Sequence, residues 1–364
     1  MHASRPALIV RVDASLAVAT GHVMRCLALA QAWQDTGGHA IFAMAESTPA
    51  IEGRLGWEGI DVIRLAVLAG RAADAASVAD LALRCDAAWV VVDGYHFGSD
   101  YQHWLKNAGL KLLFIDDNGE AGHYSADLVL NQNTHATESL YRNRECYTQL
   151  LLGLSYAMLR REFLAWRRWR RAIGALGGKV LVTLGGSDLD NVTLRIIAGL
   201  EHVTVDGLEA TAVVGAMNPH LADLERAAAA SKYQIRLVTD ATNMAELMAW
   251  ADVAISGAGA TCWEMCLLGL PAMLVDLAPN QLRIAQQLDR SGVSIHIGTA
   301  CEVSPQMIAG ELEQLLKSAE TRKQMSESGR ALVDGGGASR VVDVLARSQC
   351  QSDCSVMTTE MDAE

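Results

Sequence analysis

The chain has 364 residues, of which 51% are hydrophobic and 20% are charged, and its formal net charge at pH 7 is −12. This length exceeds what one hydrophobic core usually supports, so we expect two domains of about 150 to 200 residues each. The acidic balance argues against nucleic acid as a partner, because a phosphate backbone is bound by clustered Lys and Arg.

Short apolar runs alternate with helical patterns through the first half of the chain. Such alternation is typical of right-handed β-α-β units, which form a parallel sheet covered by helices. We therefore predict a first doubly wound domain over residues 1–160. Asp116 and Asp117 lie in this domain and are typical turn formers, so we assign neither a role. The strands are predicted at 8–12, 40–44, 62–65, 89–92, 111–115 and 128–130.

One polar residue stands out on the first predicted helix, in the stretch TGHVMRCLALAQAW. His22 follows Gly21 on the first turn, shortly after the strand 8–12. An imidazole at a strand-helix junction can act as a general base, although capping or packing is the commoner role of such a residue. Asp13, at the end of the strand, can orient water or a sugar hydroxyl, or can simply form a turn.

The apolar alternation stops between the two halves of the chain. The stretch LRREFLAWRRWRRAI places a dense group of arginines between Arg160 and Arg171. We predict a linker helix over residues 161–178, whose tryptophans pack at the domain boundary. A second interpretation stays open, in which Arg160–Arg171 makes a peripheral contact with an anionic membrane surface.

The second half repeats the alternation of strands and helices. We predict a second doubly wound domain over residues 179–348, followed by a disordered acidic tail over 349–364 that lacks periodicity. The fold class is therefore α/β with two Rossmann-like domains. The strands of the second domain are predicted at 179–184, 210–214, 235–238, 253–255, 272–275 and 293–297.

A loop of small residues in the second domain is a candidate anion site. In the stretch ADVAISGAGATCWEMCLLGL, a strand is predicted to end at Ser256 and a helix to begin at Thr261. Backbone N–H groups of such a loop and the positive end of the helix dipole can bind a diphosphate, whereas close packing alone also explains small residues there. The groups assigned to this site belong to Gly257, Ala258, Gly259, Ala260 and Thr261.

Further polar groups are candidates for the same nucleotide. Glu264, one turn into the predicted helix, can accept hydrogen bonds from both ribose hydroxyls, or can merely complement the helix dipole. The amides of Asn280 and Gln281 follow a buried strand and can reach the phosphates or the sugar, or cap the next helix. A second anion loop is predicted in the stretch VTLGGSDLDN. Its residues are Gly185, Gly186 and Ser187.

Cysteine usage and hydropathy indicate where the protein works. The 8 cysteines form no Cys-x-x-Cys pair, which is typical of reduced thiols. The sequence shows neither a signal-peptide pattern nor an apolar stretch long enough to span a membrane. We therefore expect a cytoplasmic protein with no transmembrane segment.

Several stretches together resemble a known family of nucleotide-sugar hydrolases. They are GHVMRCLALAQAW, VVDGYHF, FIDD, ADLVLNQN, LLGLSYAMLRREF, VTLGGSDLDN, AISGAGATCWEMCLLGLPAMLVDLAPNQ and VDGGGASR, in order from residue 7 to about 345. The chain is similar to the family that hydrolyses UDP-2,4-diacetamido-2,4,6-trideoxy-β-L-altropyranose in pseudaminic acid synthesis. Spore-coat polysaccharide proteins and the N-acetylglucosaminyltransferase of peptidoglycan synthesis resemble it more distantly.

The resemblance implies a fold of the glycosyltransferase B type, in which two domains face a cleft and the second domain holds UDP. The family's Gly-His pair falls on Gly21 and His22, which makes His22 the catalytic base. The family's Asp-x-Tyr stretch falls on Asp93 and Tyr95, with Tyr95 as a second active-site residue. Here Gly94 replaces the family's middle His and His96 follows it, which leaves the identity of the sugar open.

The leading hypothesis is a UDP-sugar hydrolase in which His22 activates water, with Asp13, Gly21 and Asp93 at the sugar. One alternative is a UDP-sugar-dependent glycosyltransferase of surface polysaccharide synthesis, in which His22 deprotonates an acceptor hydroxyl. Another is a protein that binds a UDP-sugar without cleaving it, although such a protein would not need His22. In each case we expect a UDP-sugar as the small-molecule substrate or ligand and no metal or other cofactor.

Overall fold

A computed structural model describes residues 6–14, 20–186, 188–215, 218–239 and 241–348 of the chain. These residues form two compact units. The first unit contains His22–Arg161 with the described parts of Met1–Ser15 and Gly336–Glu364, and the second contains Glu162–Gly335 with the described part of Leu16–Gly21. The predicted tail 349–364 and Ser187 lie outside the described residues.

The first unit is built on a 7-stranded sheet in which every neighbouring pair of strands is parallel. The strands follow the order β3-β2-β1-β4-β5-β6-β7. The six predicted strands are confirmed, and β7 is an additional short strand at the edge, where only Leu151 is fully buried. The strands are β1 Ala7–Val12, β2 His39–Met44, β3 Asp61–Arg64, β4 Ala87–Asp93, β5 Leu112–Ile115, β6 Leu128–Asn131 and β7 Gln149–Leu152.

Helices cover both faces of this sheet. One face packs on α1, and its core includes Leu27 of that helix and Val91 of β4. The other face packs on α3 and α4, with Val78 and Leu105 in its core. The helices are α1 Gly21–Asp35, α2 Pro49–Trp57, α3 Ala72–Arg84 and α4 Ser99–Asn107.

The end of the described chain returns to the first unit instead of completing the second. Helix 337–348, which we call α13, buries Ala338, Val341 and Leu345 in the same core as α1. This helical spacing of apolar residues gives α13 one buried face. A Cβ at residue 337 would lie 2.1 Å from the carbonyl oxygen of Ala157, so the chain can enter α13 here only through a glycine. The second unit therefore ends at Gly335, before the predicted end at residue 348.

The second unit contains a 6-stranded sheet, again with only parallel neighbours, in the order β10-β9-β8-β11-β12-β13. All six predicted strands are present. The strands are β8 Lys179–Thr183, β9 Glu209–Val214, β10 Gln234–Thr239, β11 Val253–Gly257, β12 Ala272–Asp276 and β13 Ser294–Thr299. The helices from the unit boundary onward are α5 Arg161–Leu164, α6 Val192–Leu200, α7 Leu221–Ala230, α8 Met244–Trp250, α9 Thr261–Leu268, α10 Leu282–Arg290, α11 Pro305–Lys317 and α12 Ala319–Leu332.

The predicted linker helix over 161–178 is wrong in its length, because only Arg161–Leu164 is α-helical. The arginines farther along this segment bind main-chain carbonyls of the second unit. Arg171 donates to the carbonyl oxygens of Met248, Ala251 and Gly269, at and just beyond the ends of α8 and α9. These contacts attach the segment to the second unit, and they satisfy carbonyls that a helix leaves without partners at its C-terminus.

Each sheet has a point where the chain reverses its direction of travel across the strands. In the first sheet it lies between β1 and β4, where Val12 pairs with Asp93. In the second it lies between β8 and β11, where Thr183 pairs with Ser256. The helices that follow such strands lie on opposite faces, which opens a crevice at the carboxyl ends, and open α/β sheets bind ligands there. Each unit therefore has its own candidate ligand site at its switch point.

Candidate functional site

A histidine and a buried carboxylate meet at the switch point of the first unit. His22 lies on the first turn of α1, and Asp93 is the last residue of β4. His22 Nδ1 is 2.7 Å from Asp93 Oδ1, and the two side chains are 8% and 0% exposed. The same nitrogen lies 3.0 Å from Arg25 Nη2, which can only donate. The carboxylate can only accept and is the nearer partner, so it favours the tautomer with the proton on Nδ1 and leaves Nε2 able to take up a proton.

Arg25, one turn farther along α1, joins Asp93 to a second carboxylate. Its Nε and Nη2 atoms each lie 2.7 Å from an oxygen of Asp93. Its Nη1 atom donates to both oxygens of Asp117, at 2.7 and 2.9 Å. Two bidentate contacts fix the guanidinium plane and hold both carboxylates in place.

The charges in this cluster stabilise one another. Burial alone would lower the pKa of Arg25, but Asp117 and Asp93 raise it well above its usual value. Burial alone would raise the pKa of Asp93 and of Asp117, but the positive charge of Arg25 lowers both below their usual range. All three groups are therefore ionised at neutral pH, although their side chains are at most 12% exposed.

Tyr95 closes the cluster into a ring of contacts. Its hydroxyl donates to Asp117 Oδ2 at 3.1 Å. Its aromatic ring meets the imidazole of His22 edge-on, with the centroids 4.8 Å apart and the planes at 83°. Contacts thus run from His22 through Asp93, Arg25, Asp117 and Tyr95 back to His22. Because Tyr95 is 54% exposed, the Tyr95 side of this ring of contacts faces solvent.

Arg25 and Asp117 are functional candidates that sequence reasoning missed. Arg25 lies three residues after His22 in the stretch GHVMRC, a spacing that places both on one face of a helix. Asp116 is a turn residue, because its Oδ1 accepts from the backbone N–H groups of Asn118 and Gly119 at 2.7 Å. Asp117 instead binds Arg25. Asp93 ends β4 and Asp117 lies two residues after the end of β5. Because β4 and β5 are neighbours in the sheet, both carboxylates reach the same arginine.

Two predicted sugar-binding residues do not join this ring. Asp13 is buried, where its Oδ1 accepts from Arg11 Nη1 at 2.7 Å and from the backbone N–H groups of Ala45 and Glu46 at 2.8 and 3.0 Å. Asp13 is therefore an anchor for the loop after β2. Gly21 begins α1, and a Cβ added to it would meet no described atom within 4 Å.

The small-residue loop of the second unit lies at its switch point, as the sequence predicts. Gly257 ends β11, and α9 begins at Thr261. A Cβ on Gly257 would lie 2.9 Å from Leu277 Cδ1, so packing is part of the reason for glycine here. The loop and the first turn of α9 nonetheless bring several backbone N–H groups to one place, as an anion site requires. Glu264 lies on this first turn and is partly exposed.

Gln281 makes a contact that neither sequence interpretation includes. Its Oε1 accepts from the backbone N–H groups of Ala258 and Leu277, both at 3.1 Å. The side chain does not cap α10, and its oxygen is used to join the loop after β11 to the loop after β12. Asn280, the preceding residue, is exposed.

The second glycine loop follows β8 at the same switch point. Gly185 has a φ of +83°, which favours glycine. A Cβ on Gly215 would lie 2.2 Å from the carbonyl oxygen of Gly186, so this loop contacts the end of β9 through backbone atoms. Asp188 caps α6, since its carboxylate accepts from the N–H groups of Val192 and Thr193 at 2.8 and 2.9 Å.

Comparison with known proteins relates the second unit to a family of transferases. Residues 180–335 match the glycosyltransferase family 28 C-terminal domain. The chain is similar to the spore coat polysaccharide biosynthesis protein SpsG of Bacillus subtilis, with 25% identity over 235 residues that cover 64% of this chain and 68% of SpsG.

A second relative is a transferase of Sorangium cellulosum. It is the UDP-N-acetylglucosamine--N-acetylmuramyl-(pentapeptide) pyrophosphoryl-undecaprenol N-acetylglucosamine transferase, with 33% identity over 183 residues. That match covers 45% of this chain and 42% of the transferase. The chain therefore spans less than half the length of this relative.

Solved structures establish the fold. The crystal structure of MurG from Acinetobacter baumannii covers 94% of this chain and 99% of its own length, with a TM-score of 0.64 at 16% sequence identity. The fold class is thereby confirmed as two parallel-sheet α/β domains of the glycosyltransferase B type. The second unit is similar to the family 28 C-terminal domain over residues 180–335. In the described part of the chain, no helix combines the length and apolar character needed to span a membrane.

Proposed function

We propose that the protein is a UDP-sugar-dependent glycosyltransferase of surface polysaccharide synthesis, in which His22 is the general base. The pairing of His22 with the buried carboxylate of Asp93 carries this proposal, because it leaves one ring nitrogen as the proton acceptor. The similarity to SpsG and to the Sorangium transferase, and the family 28 match of residues 180–335, support the transferase class.

The reaction needs one proton acceptor and one stabilised leaving group. His22 Nε2 takes the proton of an acceptor hydroxyl while the oxygen of that hydroxyl bonds to C1 of the sugar. The C1–O bond to the diphosphate breaks, and its electron pair leaves with UDP. Asp93 stabilises the imidazolium that forms, and Arg25 keeps Asp93 ionised. The Asp93 carboxylate thus orients the base without itself taking up the proton.

The second unit supplies the groups suited to UDP. Backbone N–H groups of Gly257, Gly259, Ala260 and Thr261, at the N-terminus of α9, bind the diphosphate and stabilise the charge it gains. The N–H of Ala258, also predicted for this site, instead donates to Gln281 Oε1. Glu264 accepts hydrogen bonds from the ribose hydroxyls, and a carboxylate–hydroxyl contact of this kind contributes about 1.5–3 kcal/mol. The backbone of Gly185 and Gly186, with Ser187, and the amides of Asn280 and Gln281 stay predicted UDP contacts.

A second candidate function is the hydrolysis of the UDP-sugar by the same residues. The stretches around His22, Tyr95 and Glu264 resemble the hydrolase family of pseudaminic acid synthesis, and this resemblance favours water as the nucleophile. The chemistry differs only in the source of the proton that His22 accepts.

One experiment separates the two functions. Purified protein is incubated with UDP-N-acetylglucosamine or the UDP-diacetamido sugar, with and without a saccharide acceptor, and UDP and free sugar are followed by NMR. A transferase releases UDP only when an acceptor is present, whereas a hydrolase releases equal amounts of UDP and free sugar without one. Binding of the UDP-sugar with no cleavage in any mixture would contradict both. Glu264→Ala should weaken UDP binding at least tenfold by calorimetry, while Glu327→Ala, an exposed change on α12, should not.

A further inference from the structure

A second imidazole lies at the same edge of the first sheet as His22. His96 Nε2 is 3.2 Å from Asp13 Oδ2. Asp13 directly follows β1 and His96 follows β4 by three residues, and these two strands are neighbours in the sheet. The switch point of the first unit therefore carries two pairs of histidine and aspartate.

The two pairs lie on opposite faces of the sheet. Asp93 contacts α1 through His22 and Arg25. Asp13 instead binds Arg11, two residues earlier on β1, and the guanidinium of Arg11 also binds Asp74 of α3 at 2.9 and 3.0 Å. Helices α1 and α3 cover different faces. A ligand above the ends of β1 and β4 would thus meet one imidazole from each side.

The fold holds His96 in place through two glycines and an aromatic ring. A Cβ on Gly94, whose φ is +151°, would lie 3.0 Å from Cε1 of the His96 ring. A Cβ on Gly70 would lie 2.5 Å from the carbonyl oxygen of His96. Phe97 packs against the imidazole with the ring centroids 4.0 Å apart. The ring of His96 is thus packed beside Gly94, where any larger side chain would crowd it.

The two side chains of this pair differ in their exposure to solvent. The Asp13 side chain is 1% exposed and that of His96 is 30% exposed. A fully buried carboxylate therefore orients a ring that reaches solvent beside the β1–β4 crevice. Preorganised polar groups of this kind lose little entropy on binding a ligand.

We propose that His96 binds a polar substituent of the sugar, either a hydroxyl or an amide N–H, through its Nδ1 atom. The proposal rests on the proposed function, since it requires a sugar at this edge. The negative charge of Asp13 Oδ2, 3.2 Å from Nε2, favours the tautomer with the proton on Nε2, which makes Nδ1 the acceptor of the neutral ring. His96 is thus a specificity residue for the sugar, while His22 acts on the proton of the nucleophile.

Calorimetry on three forms of the full chain tests this assignment. Wild type, His96→Leu and His103→Leu are titrated with UDP, UDP-glucose and UDP-N-acetylglucosamine. His103 is an exposed histidine of α4, and its change serves as the matched control. We expect His96→Leu to weaken binding of at least one UDP-sugar about three- to tenfold, as the loss of one hydrogen bond predicts, and to leave UDP binding unchanged.

The outcomes separate this assignment from the proposed function. Equal UDP-sugar affinity in His96→Leu and wild type would overturn the role of His96 alone, as would an equal loss of UDP and UDP-sugar binding. Wild type that bound UDP-sugars no better than UDP would also overturn it. Wild type that bound neither UDP nor a UDP-sugar would instead overturn the proposed function, and this inference with it.

Discussion

The two switch points of this protein have the same position in their sheets but opposite chemistry. Around β1 and β4, a closed ring of contacts contains three ionised side chains, in which Asp93 is fully buried and Arg25 contacts two carboxylates. Around β8 and β11, glycine and alanine present backbone groups, and the amide of Gln281 holds two loops together. Under the proposed function, the first site controls a proton and the second binds an anion.

This difference teaches which changes each site should tolerate. In the first unit, a charge removed from the ring leaves another charge buried without its partner, so both stability and proton transfer should suffer. In the second unit, the ligands are main-chain groups that substitution does not remove, so changes should act through loop position. The predictions below use this contrast, and a reversed order of effects would contradict it.

The largest effect is expected for His22→Leu. Without an imidazole at this place, the cleavage of the UDP-sugar should slow by about 10²- to 10⁴-fold, the usual contribution of a general base. UDP binding should stay unchanged, because the anion loops belong to the second unit. The rate of UDP release and calorimetric UDP affinity measure the two quantities. His103→Leu is the control. A His22→Leu variant that kept the wild-type rate would show that His22 is not the general base.

Asp93→Asn should cause the next largest change, now in stability as well as rate. The variant leaves Arg25 with Asp117 as its remaining carboxylate partner, so we expect a loss of about 3 kcal/mol, near the low end for a broken buried pair. The exposed pair of His39 and Asp61, 41% and 68% exposed, offers a matched control. Asp61→Asn should cost less than about 1 kcal/mol, and urea unfolding of both variants makes the comparison.

The ring of contacts around Arg25 should also determine how the free energy of unfolding depends on pH. The pKa of Asp93 and of Asp117 is lower in the folded chain than the usual value of about 4. Their contribution to stability is therefore complete above about pH 4 and is lost as the pH falls toward the lower, folded pKa. The free energy of unfolding should fall more steeply with acid in wild type than in Asp93→Asn. Parallel pH profiles would show that Asp93 is not part of a stabilising network.

Sequence patterns predicted most of the fold because most of the parallel strands are buried and largely apolar runs. The same reasoning placed His22 and the Gly257–Ala260 loop at strand ends, where ligands bind. It could not find the contact of Arg25 with Asp117, because these residues are far apart in the chain and meet only through the strand order. It missed the return of α13 to the first unit for the same reason.

In the linker, by contrast, the sequence pattern predicted a helix that tertiary contacts prevent. The arginines and tryptophans after Arg160 predict a helix, but the side chain of Arg171 bonds to carbonyls near the ends of α8 and α9. Those partners are tertiary, so no local pattern indicates them. Asp13 is similar, since its burial beside Arg11 depends on α3 and the loop after β2.

The smallest effect is expected for Gln281→Leu in the second unit. Leucine has a similar size but cannot accept the N–H groups of Ala258 and Leu277, so the two loops should lose their shared anchor. Because the anion ligands are backbone groups that remain, UDP affinity should fall only about three- to tenfold, equivalent to one lost hydrogen bond. Calorimetry with UDP measures the change, and Gln324→Leu, on α12, is the control. A loss of UDP affinity as large as the loss of rate expected for His22→Leu would show that the Gln281 side chain, and not the loop backbone, provides most of the UDP affinity, and the contrast between the two switch points would then fail.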